Sequence, residues 1–231
     1  MNNNNKNNNN TDFLYFVPGN WFELKNISVD KTYPYDIETL KEEILNQVND
    51  RSEKLSFINI TIGSKYAKTT IESIDFYLDK EKFNNIKKIV SGEIRHPIIT
   101  FHGTSNLNTV KSILKSGYII PGSDDSIQSG IKMAHGSVHG IGVYSSPFFN
   151  KAIYYTTPDK IKYVYVLINI CILGKAKLIP PSSQTYFDHK APINGCYSDG
   201  SNTRIVYGLD QIVSADSNRI IPLAIMKISI A

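Results

Sequence analysis

Residues 162–173 read KYVYVLINICIL and form the strongest strand pattern in the chain. Alternate side chains of a strand point to opposite faces. One face would carry Val164, Val166, Ile168, Ile170 and Ile172, and the other Tyr163, Tyr165, Leu167 and Cys171. Because both faces are mostly apolar, the pattern predicts a central strand that is covered on both sides.

Shorter strand patterns surround this run. They fall at residues 96–102, 143–145, 176–179, 204–207, 211–213 and 220–228. One clear helix follows Ser105 or Asn106, the two candidate N-caps, and ends at Gly117; residues 150–155 offer one or two further helical turns. Many short strands with few helices predict an α+β fold of mostly antiparallel sheets with helices at one edge, and argue against a doubly wound parallel sheet.

The chain divides into three segments by pattern. Residues 1–11 are almost pure asparagine, which predicts a disordered tail. Residues 12–95 predict a small α+β segment of unknown role, with a helix after Asp36, strands at 54–62 and 74–78, and a helix at 82–90. Residues 96–231 hold the strands described above and would form the main domain.

Composition narrows the classes of function. The formal net charge is only +4, and no run concentrates Lys and Arg on one face, which argues against a nucleic-acid-binding surface. Two cysteines make no disulfide framework. The polar N-terminus and the short apolar runs predict no secretion signal and no membrane span, so we expect a cytoplasmic or nuclear protein. His135 and His139 are flanked by glycine and have no completing ligand, so we predict no metal site.

Two glycine-containing segments could form one ligand cleft. Residues 101–104 read FHGT and residues 140–145 read GIGVYS. His102 at a strand end could place its imidazole in a cleft, where Gly103 leaves the main chain open to a ligand; a hydrogen-bonded core histidine is the alternative. Tyr144 and a tyrosine of the 154–155 pair could sandwich a planar ring, and a pyridinium cation would add about 0.5–2 kcal/mol of cation–π attraction. Core packing is the alternative for each tyrosine.

These segments and their order resemble a known family. FHGT, the helix to Gly117, HGIGVY at 139–144, residues 152–155, the strand to Gly174, IVY at 205–207 and QIV at 211–213 occur in this order. Over residues 97–228 the chain resembles the catalytic domain of the poly(ADP-ribose) polymerase-like ADP-ribosyltransferases. The resemblance implies a split barrel of two antiparallel sheets around an NAD cleft, with the loop 121–137 over the dinucleotide.

The resemblance also implies roles for single residues. His102 would bind a ribose of NAD, and Gly103 would bind the nicotinamide carboxamide through its main chain. Thr104 would be a further NAD-binding residue. Tyr144 would line the ring pocket, and Tyr155 would stack on the ring. Two positions depart from the family. Ala152 stands where a serine usually binds the carboxamide, and Thr203 stands where polymer-forming members carry a glutamate.

The implied activity is transfer of a single ADP-ribose from NAD, as co-substrate, to an acceptor protein, to the chain itself or to another acceptor, with release of nicotinamide. His102, Tyr144 and Thr203 would form the catalytic set, without a metal. The alternative is an inactive module of the same fold that binds NAD, ADP-ribose or a protein. A relative that acts on RNA phosphate would need clustered arginines, and Arg204 is the only arginine between residues 96 and 213.

Overall fold

The computed structural model describes residues 36–55, 60–62, 65–67, 69–91, 97–104, 106–123, 138–156, 163–179, 192–206 and 211–230. The predicted tail 1–11, most of the loop 121–137 and His135 lie outside these ranges. The helices are α1 (Ile37–Leu55), α2 (Lys80–Val90), α3 (Leu107–Ser116) and α4 (Phe149–Tyr154). The strands are β1 (Ile60–Ile62), β2 (Lys65–Ala67), β3 (Thr69–Phe76), β4 (Ile98–Thr104), β5 (Val143–Ser145), β6 (Tyr163–Cys171), β7 (Ala176–Ile179), β8 (Thr203–Val206), β9 (Gln211–Ser214) and β10 (Ile220–Ile230).

The first four-stranded sheet has the order β3-β10-β6-β4 and is antiparallel throughout. Strand β6 lies between β10 and β4, which confirms the prediction that it is central. Its even-numbered residues from Val164 to Ile170 join the main core, whereas Leu167 and Cys171 are buried on the opposite face. Both faces are therefore covered, as the apolar pattern requires.

The second four-stranded sheet has the order β5-β9-β8-β7. Its β5/β9 and β9/β8 pairs are antiparallel, but β7 and β8 are parallel. The prediction of antiparallel pairing is wrong for this pair. The long connection of residues 180–202 brings the chain back to the end at which β7 began, so β8 starts beside the start of β7.

The two sheets meet at the edges formed by β4 and β5. Phe101 and Ser146 exchange main-chain hydrogen bonds of 2.6 and 2.9 Å, which make an isolated antiparallel bridge. Below this joint the sheets pack face to face, because Ile98 and Cys171 of the first sheet share a buried cluster with Ile205 and Ile212 of the second. The described residues form a mixed α+β fold of two joined sheets, without a closed barrel.

The described part of the segment before residue 95 belongs to the same core. Strand β3 pairs with β10, and helices α1 and α2 bury Ile44 and Ile86 in the cluster that holds Phe101. The predicted strand at 54–62 begins too early, since α1 continues to Leu55 and the strand covers only Ile60–Ile62. Residues 51–55 hold good helix formers without Gly or Pro, so the helix extends.

Helix α3 is bounded as its local sequence predicts. The Asn106 side chain accepts a hydrogen bond of 2.8 Å from the Asn108 amide, and Gly117 takes a φ of +78° after the last turn. The helix places Val110 in a cluster with Leu167 and Tyr118. This packing brings Tyr118 next to the end of β4, where the candidate site lies.

Candidate functional site

The joint between the sheets brings together the two segments that the sequence singles out. His102, Gly103 and Thr104 continue β4 past the Phe101–Ser146 bridge, and Tyr144 lies in β5, just before Ser146. His102 and Tyr144, which are 42 residues apart in the chain, therefore become neighbours at one edge. The two segments are brought together by the sheet topology, which a local sequence motif does not determine.

His102 is tied to the main chain of β5. Its Nδ1 atom lies 2.7 Å from the main-chain oxygen of Tyr144. A carbonyl oxygen can only accept, so Nδ1 donates, and the Nε2 atom of the neutral ring is an acceptor. The imidazole also packs edge-to-face on the ring of Tyr118, with the centroids 5.2 Å apart. The ring is half-buried, and its orientation is set from two sides.

The ring of Tyr118 is itself held in the core. Its hydroxyl donates a hydrogen bond of 2.8 Å to the Asn169 side chain, which lies opposite Thr100 in the sheet. Burial raises the pKa of Tyr118 well above its usual value, so the phenol remains a neutral donor. Thr104, at the end of β4, is half-buried and lies opposite Tyr165.

Gly103 is the point at which helix α4 meets β4. A Cβ atom built on Gly103 would lie 1.9 Å from the main-chain oxygen of Ala152, an impossible approach. Only glycine lets the helix lie this close. Ala152 is buried in the core, and its side chain has no polar atom to offer a ligand. Ala152 therefore offers no side-chain hydroxyl of the kind that the resembled family places at this position.

Tyr144 has its hydroxyl bound to the preceding turn. The Oη atom accepts a hydrogen bond of 3.0 Å from the His139 amide and donates one of 2.9 Å to the oxygen of Gly140. The ring packs beside a buried cluster that includes Tyr197 and Val213. Burial, the largest influence, raises the pKa of Tyr144 to about 12, so the phenol is neutral at physiological pH.

Tyr155 lies close enough to Tyr144 for its phenol to contribute to the raised pKa of Tyr144. Burial raises the pKa of Tyr155 as well, and its ring packs edge-to-face on Tyr154 at 5.5 Å. The Gln211 amide donates a hydrogen bond of 2.5 Å to its hydroxyl. Gln211 is a site residue that sequence analysis did not identify. The alternation of β9 puts it on the face of Val213, which lies opposite Tyr144.

Thr203 does not share a face with Tyr144. The strand register makes one row of Val143, Ser214 and Thr203, and the next row of Tyr144, Val213 and Arg204. Neighbouring rows point to opposite faces. Thr203 is completely buried, and within the described ranges its hydroxyl has no hydrogen-bond partner. The structure thus brings His102, Tyr144 and Tyr155 to the joint but turns Thr203 toward the first sheet.

Arg204, on the face of Tyr144, is 2% exposed. Its guanidinium carbon lies 3.7 Å from the ring centroid of Tyr197, and its Nη1 atom donates a hydrogen bond of 3.1 Å to the oxygen of His139. Its Nη2 atom lies 3.5 Å from an oxygen of Asp199, which also binds Lys177 at 3.0 Å. This group is another feature that the sequence pattern did not reveal.

Asp199 remains ionised within this network. Its partial burial alone would raise the pKa, but hydrogen bonds from Ser201 and Lys177, together with the charge of Arg204, lower the pKa of Asp199 to about 2. The carboxylate balances the buried guanidinium. Burial and the same guanidinium lower the pKa of His139, so that imidazole favours its neutral form.

No group of three or more His, Cys, Asp and Glu side chains in the described ranges could hold a metal ion. None of the helices in those ranges combines the length and the apolar character that crossing a bilayer requires.

Comparison with known proteins assigns no family. No protein-family model matches the chain, and no curated protein is significantly similar to it in sequence.

Proposed function

We propose that the protein is an NAD-dependent mono-ADP-ribosyltransferase with the split-barrel fold of the poly(ADP-ribose) polymerase-like enzymes. It would release nicotinamide and pass one ADP-ribose to a protein acceptor or to itself. The observation that carries the proposal is the 2.7 Å hydrogen bond between His102 and Tyr144, which lie 42 residues apart. This bond joins the two segments on which the family resemblance depends.

Two neutral tyrosines support binding of the nicotinamide ring. Tyr144 and Tyr155 are both partly exposed, and burial raises the pKa of each phenol. Aromatic faces attract a pyridinium cation by about 0.5–2 kcal/mol. Ala152 supplies no side-chain hydrogen bond to the carboxamide, which weakens binding by about 1 kcal/mol relative to a serine.

His102 supports binding of a ribose. Because Nδ1 donates to Tyr144, the Nε2 atom of the neutral ring accepts, and a ribose hydroxyl is a suitable donor. The edge-to-face contact with Tyr118 holds the imidazole in one orientation. A ring and a ribose held in a fixed relative geometry favour cleavage of the bond between them.

The bond between the nicotinamide nitrogen and ribose C1′ breaks, and its electron pair leaves with neutral nicotinamide through an oxocarbenium-like state. The acceptor forms a new bond to C1′ and gives its proton to solvent. Because Thr203 stands at the position of the resembled family's glutamate, it cannot activate a ribose hydroxyl as the next acceptor, and we expect single transfers and no chains.

An inactive NAD- or ADP-ribose-binding module is the second candidate. The observation that favours it is the buried position of Thr203 on the face opposite Tyr144. Asp199 does not replace the missing glutamate, because it is engaged by Lys177 and Arg204.

Intact mass after incubation with NAD tests the proposal. The wild type should gain single increments of one ADP-ribose, and Tyr144→Ala should gain none. Tyr163→Ala is the matched control, since that ring lies under Lys227 on the first sheet and outside the site. If the wild type gains no mass and releases no nicotinamide, yet NAD raises its melting temperature, the binding module is supported. No thermal shift would rule out the NAD cleft.

A further inference from the structure

We propose that Arg204 is a positioning residue, which orients the phenol of Tyr144 through the main chain of His139 and Gly140. The proposal deepens the proposed function, since it concerns the ring-binding tyrosine. Its structural part concerns only contacts within the chain and can be tested without NAD.

The hydroxyl of Tyr144 is hydrogen-bonded to the main chain of the preceding turn. It accepts a bond of 3.0 Å from the His139 amide and donates one of 2.9 Å to the Gly140 oxygen. Both partners are main-chain atoms of one peptide segment. The direction of the phenol therefore follows the position of residues 139–140.

Residues 139–140 are in turn fixed by Arg204. Arg204 donates a hydrogen bond of 3.1 Å to the His139 oxygen, so the same residue is bound through its oxygen by Arg204 and through its amide by Tyr144. A Cβ atom on Gly140 would lie 2.3 Å from Nη1 of Arg204, and Gly140 has a φ of +107°. Glycine is needed there because the segment lies directly against the guanidinium.

Arg204 is itself fixed by contacts with Tyr197 and Asp199. Its side chain stacks on the Tyr197 ring at 3.7 Å and pairs with Asp199 at 3.5 Å. Asp199 is fixed by hydrogen bonds from the amide and the hydroxyl of Ser201. A planar guanidinium can stack, pair and donate at once, whereas a lysine ammonium lacks the planar fork.

Sheet register makes this arrangement possible. Arg204 and Tyr144 both lie opposite Val213, one on each side of β9, and they point to the same face. Two strand spacings of about 4.8 Å separate their main chains. The long arginine side chain spans this distance to reach His139. Because Nη1 of Arg204 is directed at the His139 oxygen, Nη2 at Asp199, and the side chain is almost fully buried, Arg204 acts on the site through Tyr144 and without touching the ligand.

The first test is amide hydrogen exchange of His139 in the full chain. Arg204→Met should accelerate this exchange about 10-fold or more, the effect of losing one or two hydrogen bonds on a local opening. Arg219→Met is the matched control, because Arg219 also pairs with an aspartate, Asp216 at 3.5 Å, and its guanidinium lies beside Gly174. Unchanged exchange in a cooperatively folded Arg204→Met protein would overturn the proposal.

The second test uses nicotinamide and NAD as probes. Arg204→Met should weaken nicotinamide binding about 10-fold and raise the KM for NAD more than it lowers kcat, because a misplaced ring chiefly impairs binding. Arg204→Lys should bind nicotinamide more weakly than the wild type but more tightly than Arg204→Met. It remains a usable variant if the methionine protein does not fold. In a Tyr144→Phe background, Arg204→Lys should cause no further loss of nicotinamide affinity; a full additional loss would contradict an effect through the phenol.

The outcomes separate the two proposals. If the wild type binds neither nicotinamide nor NAD, the proposed function fails, while His139 exchange still decides whether Arg204 orients Tyr144. If the wild type binds nicotinamide and Arg204→Met binds it equally well, the positioning role fails and the proposed function stands.

Discussion

His102 Nδ1 donates a hydrogen bond of 2.7 Å to the main-chain oxygen of Tyr144, beside the bridge at which the two sheets meet. The bond has two roles, which can be tested separately by different substitutions of His102. It ties β4 to β5, and it leaves the other ring nitrogen as the acceptor.

Two substitutions of His102 should therefore differ in their effect on folding stability but agree in their effect on nicotinamide release. His102→Asn retains an N–H near the position of Nδ1 and should keep most of the stability, whereas His102→Ala should lose about 1–2 kcal/mol with the bond and the Tyr118 contact. Both should lower nicotinamide release by about 100-fold, because neither places an acceptor at the position of Nε2. Urea unfolding and a nicotinamide-release assay measure the two effects. Wild-type release by His102→Asn would show that Nε2 has no role.

A methyl group at Gly103 should separate helix α4 from β4. The Cβ atom of Gly103→Ala would lie 1.9 Å from the main-chain oxygen of Ala152, so the helix must move, at a cost of about 3 kcal/mol. Gly200→Ala is the control, because Gly200 has a φ of +77° with open space around it. That variant should lose only about 1 kcal/mol in urea unfolding. Equal losses would mean that the close approach at Gly103 is not maintained in solution.

Thr203 should tolerate an apolar substitute and reject a charged one. Thr203→Val removes a buried hydroxyl without a hydrogen-bond partner in the described ranges, and should leave stability unchanged or raise it by about 0.5–1 kcal/mol. Thr203→Glu introduces the residue that polymer-forming members of the resembled family carry. It would bury a charge on the face of the second sheet whose Ile205 packs with Ile98 and Cys171, and should cost about 3–5 kcal/mol. Gln211→Glu is the control, since its carboxylate can accept a hydrogen bond from Tyr155 and should cost less. A well-folded Thr203→Glu protein that forms ADP-ribose chains would contradict the observed register.

Stability should fall above about pH 10, the ordinary pKa of tyrosine. Burial raises the pKa of Tyr118, Tyr144 and Tyr197 in the folded protein. Below pH 10 these phenols are neutral in both states and add no pH dependence; above it the unfolded chain loses protons that the folded protein keeps. For Tyr144, with a folded pKa of about 12, the loss is about 1.4 kcal/mol per pH unit between these values. Urea unfolding at alkaline pH should show a shallower decline for Tyr144→Phe than for the wild type, and identical slopes would contradict a raised pKa.

Local patterns predicted the elements that depend on local chemistry. The central strand β6 follows from its period of two, and the ends of α3 follow from Asn106 and Gly117. The parallel pairing of β7 with β8 did not follow, because a long connection can return the chain to either end of a strand. Helix α1 also extends to Leu55, into the range predicted as a strand, since helix propensity there continues without a breaker.

The candidate site divides in the same way. The sequence alone pointed to His102, Gly103 and Tyr144 through their nearby glycines, and to Tyr155 through the order of the segments in the resembled family. Tertiary structure decided that Thr203 turns away from Tyr144, and that Gln211 and Arg204 lie on its side. The reason is physical: a strand shows two faces, and a shift of register by one residue exchanges them. That choice rests on contacts between segments far apart in the chain, which no local pattern records.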